Sequence, residues 1–244
     1  MSAFAVGEWV RHNGSRGIVR EVRSRKVLVR WLDRVKAEAW DPNNLTRSSP
    51  PRALVLEGSL GDTLHSTRSA EGTLRTWLKA NEIPLAYKNI HTLDDISVIG
   101  KAVGRSKPAF VHLSCHGNHE QGRPYFTLAP RASESDRIYL DDERTAEVFG
   151  KHFRGLPLLF SACFLGKYQD SLISFRDAAG LAAVASYTRD ISDAEALLFE
   201  LLLYHGVLVK GMRFGTAIER ANYALLELSV KGSRGHGQQF ARVF

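Results

Sequence analysis

Leu156-Pro157-Leu158-Leu159-Phe160-Ser161-Ala162-Cys163-Phe164-Leu165-Gly166 is an apolar run that stops abruptly at small and reactive residues. Its five consecutive large or cyclic apolar residues show no polar alternation, as in a parallel strand covered on both faces. Val111-His112-Leu113-Ser114-Cys115-His116-Gly117 has the same form, an apolar strand running into a glycine-containing loop. Around these two stretches, strand-like and helix-like segments alternate. Strands are expected at residues 53–58, 85–90, 109–114, 156–161 and 181–186. Helices are expected at 67–81, 93–103, 192–205 and 210–228, with Thr92 capping the second. This alternation predicts a mostly parallel sheet with helices on both faces. Between Gly117 and Gly155 it breaks, and a hairpin of 124–128 with 137–140, followed by a helix over 142–153, fits the pattern.

Ahead of this region lies Thr46-Arg47-Ser48-Ser49-Pro50-Pro51-Arg52, whose prolines and serines read as a linker. The segment before it holds short alternating runs at 7–11, 17–22 and 26–32, separated by turn residues such as Asn13-Gly14. Three to five short strands in fewer than 50 residues suggest a small bent barrel. We therefore divide the chain into residues 1–47, a linker at 48–52, and residues 53–244.

The 244 residues include 33 Lys and Arg against 26 Asp and Glu, a net charge of +7. Residues 1–52 carry eleven basic and five acidic side chains, so +6 of the excess sits in the first fifth of the chain. That segment also holds Trp9, Trp31 and Trp40. Aromatics interleaved with arginines suit a nucleic-acid or peptide-binding face, although in so small a module they also suit the core. The remaining residues are almost neutral at +1. No apolar run reaches the ~20 residues of a membrane helix, and the first residues lack the pattern of a secretory signal. Two cysteines cannot form a disulfide scaffold and fit a reducing, cytoplasmic compartment.

Open α/β sheets place their chemistry beyond the carboxyl ends of strands. Here two such ends offer His116 and Cys163, 47 positions apart. A thiol needs a base to act as a nucleophile at neutral pH, and an imidazole can supply one and later protonate a leaving amine. Gly117 allows close backbone approach, so its N–H and that of Cys163 are candidate donors to an oxyanion. A zinc reading of His112, Cys115, His116 and His119 competes, but the positions alternate between strand and loop without a paired C-x-x-C. There is neither a phosphate loop at Gly166-Lys167 nor a G-x-S-x-G elbow.

At His116-Gly117 and Ser161-Ala162-Cys163 the chain resembles the caspase-like cysteine peptidases, and more narrowly their CHAT branch. Further similarity lies in Ala183–Tyr187 followed by the acidic turn Asp190–Ala196, in the paired helical segments from Phe199, and in the terminal Gln238–Phe244. The resemblance covers about residues 53–244. It implies a caspase-like α/β/α sandwich; separately, the N-terminal runs 7–11, 17–22 and 26–32 resemble Tudor-like small barrels, which implies a small all-β barrel ahead of it. The peptidase resemblance also implies an endopeptidase with Cys163 as nucleophile and His116 as general base, and no cofactor or metal. The substrate would be a partner protein, and in bacteria the branch implies defence or regulated cell death, with the target often encoded by a neighbouring gene. Ser161 replaces the glutamine of metazoan caspases, and a glycine follows Cys163 by three residues, so their acidic preference does not transfer. In the family arrangement Ser161, Asp190 and Asp193 border the substrate pocket, where an aspartate would favour a basic residue. A helix-cap role for Ser192 and Asp193 is the alternative. The alternative for the whole chain is a non-enzymatic adaptor, with the barrel binding nucleic acid or protein and the α/β region as scaffold.

Overall fold

The computed structural model describes residues 4–59, 71–103, 107–129, 136–228 and 239–244. Strands β1 (Trp9–His12), β2 (Ser15–Val22), β3 (Val27–Trp31), β4 (Glu38–Trp40) and β5 (Thr46–Arg47) form one antiparallel sheet, ordered β4-β3-β2-β1-β5. Asn13 and Gly14 both take positive φ, at 45° and 86°, which closes the two-residue hairpin between β1 and β2. A bulge between Val19 and Glu21 bends β2. Phe4, Val10, Val19, Val27, Val29, Trp31 and Leu45 make a separate small core, with Trp40 edge-on to Trp31 at 5.3 Å. Trp31 is thus a core residue. Arg20 and Arg30 both reach Glu82 of the larger region, and Leu32 packs against that region's core.

The larger region contains β6 (Ala53–Glu57), α1 (Glu71–Ala80), β7 (Leu85–Asn89), α2 (Leu93–Val103), β8 (Val111–Ser114), β9 (His116–Glu120), β10 (Arg123–Thr127) and β11 (Ile138–Tyr139). It continues through α3 (Glu143–Phe153), β12 (Pro157–Ser161), α4 (Gln169–Ala179), β13 (Ala183–Tyr187), α5 (Asp193–Tyr204), α6 (Phe214–Leu228) and β14 (Ala241–Val243). Six of the strands form the central sheet in the order β14-β13-β12-β8-β6-β7. All pair in parallel except β14, which runs antiparallel to β13. Asn222 clamps this last strand, donating to the Ala241 carbonyl and accepting from its N–H.

Alternate residues of each strand serve two cores. Val55, Phe110, Leu159 and Ala185 meet α1, α5 and α6 through Leu74, Phe199 and Ile218. Leu54, Val111, Leu158 and Val184 meet α2, α3 and α4 through Ile96, Phe149 and Leu172. The expected α/β architecture with a mostly parallel sheet and helices on both faces is therefore observed. Thr92 caps α2 as expected: its hydroxyl accepts from the Asp95 N–H, and the Asp95 carboxylate accepts from the Thr92 N–H.

Several elements differ from the sequence reading. Residues 67–70 of the expected first helix and Gln238 of the last strand lie outside the described residues. His116-Gly117 opens strand β9 rather than a loop, and the expected hairpin is a three-stranded sheet ordered β11-β10-β9. Four polar residues in β9 hide it from a period-two search. The two C-terminal helices are joined by a π-helical turn, His205–Val209, and Gly211 at φ 65° delays α6 to Phe214.

Phe149 is fully buried and its ring lies 5.4–6.5 Å from those of Phe126, Phe153, Phe160 and Phe175. Phe149→Ala is expected to cost about 3–5 kcal/mol in urea unfolding.

Candidate active site

β8 and β12 pair in parallel, with Val111 opposite Leu158 and Ser114 opposite Ser161. The pairing extends one residue further, the Cys115 N–H donating to the Ser161 carbonyl at 3.2 Å. Both strands therefore end side by side, and the next residues of each meet. A methyl group at Gly117 would sit 2.3 Å from the Cys163 carbonyl oxygen and 3.0 Å from Ala162 Cβ. Only glycine permits this approach of the segment containing His116 to the one containing Cys163.

Cys163 is partly exposed, and its Sγ lies 3.2 Å from Asp190 Oδ1 as a thiol donor. Its carbonyl accepts from the Leu165 N–H at 2.8 Å, so the chain reverses over three residues. Phe164 at the centre of this turn has φ 63°, a left-handed conformation costly for a bulky residue. The Phe164 N–H donates to the Arg189 carbonyl, tying the turn to the loop after β13. A methyl at Gly166 would lie 2.5 Å from the Ser186 carbonyl oxygen, which is why a glycine occupies the third position after Cys163.

The second cysteine has a different environment. Cys115 is 4% exposed, and burial, with a smaller contribution from Cys163, pushes its thiol far up. It packs in the core against α2, α3 and α4.

Beneath the strand ends lies a buried polar cluster that sequence reasoning missed. Glu200 of α5, 3% exposed, receives the Ser161 hydroxyl at 2.5 Å and the Tyr187 hydroxyl at 3.1 Å on the same oxygen, Oε1. His112 Nε2 stands 3.4 Å from that oxygen, and its Nδ1 is 2.9 Å from the Tyr204 hydroxyl. We assign the ring proton to Nε2, facing the carboxylate, so that Nδ1 accepts from Tyr204. Burial works to raise the Glu200 carboxyl, but His112 and the hydrogen bonds from Ser161 and Tyr187 outweigh it and hold the group below its ordinary value. Burial and the Glu200 charge push the Tyr187 hydroxyl well up. The available sequence signal was Glu200 itself, an acidic residue within the apolar run 197–204.

The structure brings Gly117, Cys163 and Asp190 to one place, with His116 next to Gly117 at the start of β9. Ser161 directs its hydroxyl inward to Glu200. Ser192 is the N-cap of α5 in a reciprocal arrangement with Glu195, and Asp193 occupies the first helical position. His112 and His119 diverge: His112 is sealed in the cluster, while the His119 ring lies 5.3 Å from Tyr168. Among the described residues no group of three His, Cys, Asp or Glu side chains is gathered for a metal ion, and no helix is long and apolar enough to cross a membrane.

Brief iodoacetamide treatment of the folded protein is expected to label Cys163 and spare Cys115, with both labelled in urea, as read by peptide mass spectrometry. Glu200 titrates below its unfolded value near 4.5. Its contribution to stability is therefore present at neutral pH and is lost as pH falls through that range. Glu200→Ala strands His112 and two hydroxyls and should cost about 3–5 kcal/mol at pH 7. In Glu200→Gln the loss of stability between pH 5 and pH 3 should be shallower than in wild type.

No family model matches this chain, and no curated protein matches it. Among solved structures it is similar to one assigned to the short-chain alcohol dehydrogenases, from Burkholderia multivorans, at 11% identity and a TM-score of 0.36 over 66% of this chain and 93% of that one. A likeness of that size carries no argument about the site.

Proposed function

We propose that the chain is a cysteine endopeptidase of the caspase-like, CHAT type, acting on a partner protein. The observation that carries this reading is the packing of the Gly117 backbone directly on Cys163, which sets the only partly exposed thiol of the chain beside the segment that begins with His116. In this reading the larger region is a caspase-like sandwich and the N-terminal sheet a small Tudor-like barrel.

The chemistry follows from the groups present. His116 takes the Cys163 proton, and the thiolate attacks the scissile carbonyl carbon. The N–H groups of Gly117 and Cys163 receive the developing oxyanion. The imidazolium then protonates the departing amine, leaving a thioester, and a water deprotonated by His116 releases the acid. Asp190, already within hydrogen-bond distance of the thiol, gives the mouth of the site a negative group and favours a basic substrate residue. The N-terminal sheet serves recruitment or regulation, through protein or nucleic acid.

The test is cleavage of proteins encoded by neighbouring genes, followed by gel and mass spectrometry. Wild type should cut at a defined bond, and Cys163→Ala and His116→Ala should each lose at least a hundredfold in rate. Equal cleavage by wild type and Cys163→Ala would overturn the reading. Binding of the same protein without cleavage by any form would favour the adaptor.

A further inference from the structure

The buried cluster around Glu200 lies directly below the candidate nucleophile, and the chemistry just described makes no use of it. Its geometry is specific. Ser161 is the last residue of β12, two positions before Cys163. Tyr187 is the last residue of β13, three positions before Asp190. Both hydroxyls donate to one oxygen of Glu200, which comes from α5, the helix packed on that face of the sheet. The two strands whose ends carry the thiol and its carboxylate partner are thus tied from below by a single atom. Above, they are tied by Phe164 N–H to the Arg189 carbonyl and by Cys163 Sγ to Asp190.

An apolar residue would fill the position of Glu200 at lower cost. A carboxylate 3% exposed persists only with partners, and replacing such groups by hydrocarbon is often neutral or stabilising. A buried charge instead imposes a unique arrangement, because each partner must point at it. Here Ser161 leads into the turn with the strained Phe164, and Tyr187 leads into the loop of Arg189 and Asp190 that holds that turn. Such a turn keeps its shape only where its surroundings over-determine it.

We propose that Glu200 is a positioning residue for Cys163. Acting through Ser161, and secondarily through Tyr187, it fixes the end of β12 so that the thiol is presented to His116. This rests on the reading that His116 assists Cys163, but its test needs no substrate. His112 serves the cluster as the partner that keeps Glu200 charged, and Tyr204 fixes the His112 ring.

The measurement is the second-order rate constant for alkylation of Cys163 by iodoacetamide at pH 7, resolved by peptide mass spectrometry. It is made on the full chain as wild type, Ser161→Ala, Glu200→Gln and the double variant, with thermal unfolding recorded for each. Ser161→Ala should slow Cys163 labelling about tenfold. Glu200→Gln should also slow it, although removing a nearby negative charge would by itself favour the thiolate and speed labelling. The double variant should be no slower than the slower single one, because both act along one path. Cys115 should stay unlabelled in every folded form. Faster labelling in Glu200→Gln, additive effects in the double variant, or lowered melting temperatures with unchanged labelling would overturn the proposal. If Glu200→Gln does not fold, Tyr187→Phe replaces it: a slower rate supports the proposal and an unchanged rate overturns it. Loss of the peptidase reading is seen separately, as equal cleavage by wild type and Cys163→Ala.

Discussion

The parallel register of β8 on β12 determines where the chemistry of this molecule sits. With Ser114 opposite Ser161, both strands stop on the same rung and their following residues collide unless one is glycine. A shift of one residue would turn His112 and Leu159 to the opposite face and their alternate neighbours with them. The register is enforced from both sides, since Leu113 and Phe160 enter one core while His112 and Leu159 enter the other. Packing on two faces thus fixes the approach of Gly117 to Cys163 more firmly than any contact within the site.

The face toward α5 changes character along the strands. Its lower rungs are mostly hydrocarbon, Phe110 and then Val55, Leu159 and Ala185, with His112 on the same rung as these three. Toward the carboxyl ends it becomes polar, with Ser114, Ser161 and Tyr187, all but Ser161 buried. Polar groups at this depth need partners, and the carboxylate of Glu200 supplies an acceptor to most of them. The apolar rungs hold the sheet to the helix, and the polar rungs specify how the strand ends are arranged.

How much of this was legible in the sequence depends on what each residue does. Apolar runs such as Leu158-Leu159-Phe160 reveal buried parallel strands because nothing else requires five such residues in a row. Cys163 and His116 are visible because strand ends are where reactive groups are delivered. β9 was hidden because His116-Gly117-Asn118-His119-Glu120 is held by pairing with β10 rather than by a buried face; all five residues retain exposure. Glu200 was hidden for the opposite reason. Its partners lie 13, 39 and 88 positions away along the chain, and no local pattern records that they meet in space. Ser161 was visible beside Cys163, yet its direction depended on that unseen carboxylate.

The charge of the N-terminal segment has a narrower meaning once its pairs are seen. Arg20 and Arg30 close on Glu82, a residue held at φ 58° in the turn after α1, so part of the basic face is applied to the larger region. Arg23 pairs with Glu21, Arg34 with Glu38, and Arg47 with Glu8. Arg11 and Arg16 stand opposite each other across the β1–β2 hairpin, and Arg25 and Lys26 lie at the other end of β2. These two groups are separated by about 20 Å of strand. A duplex backbone is best met by an unbroken stripe of cations, whereas this arrangement offers separate points at opposite ends of a sheet whose middle is occupied.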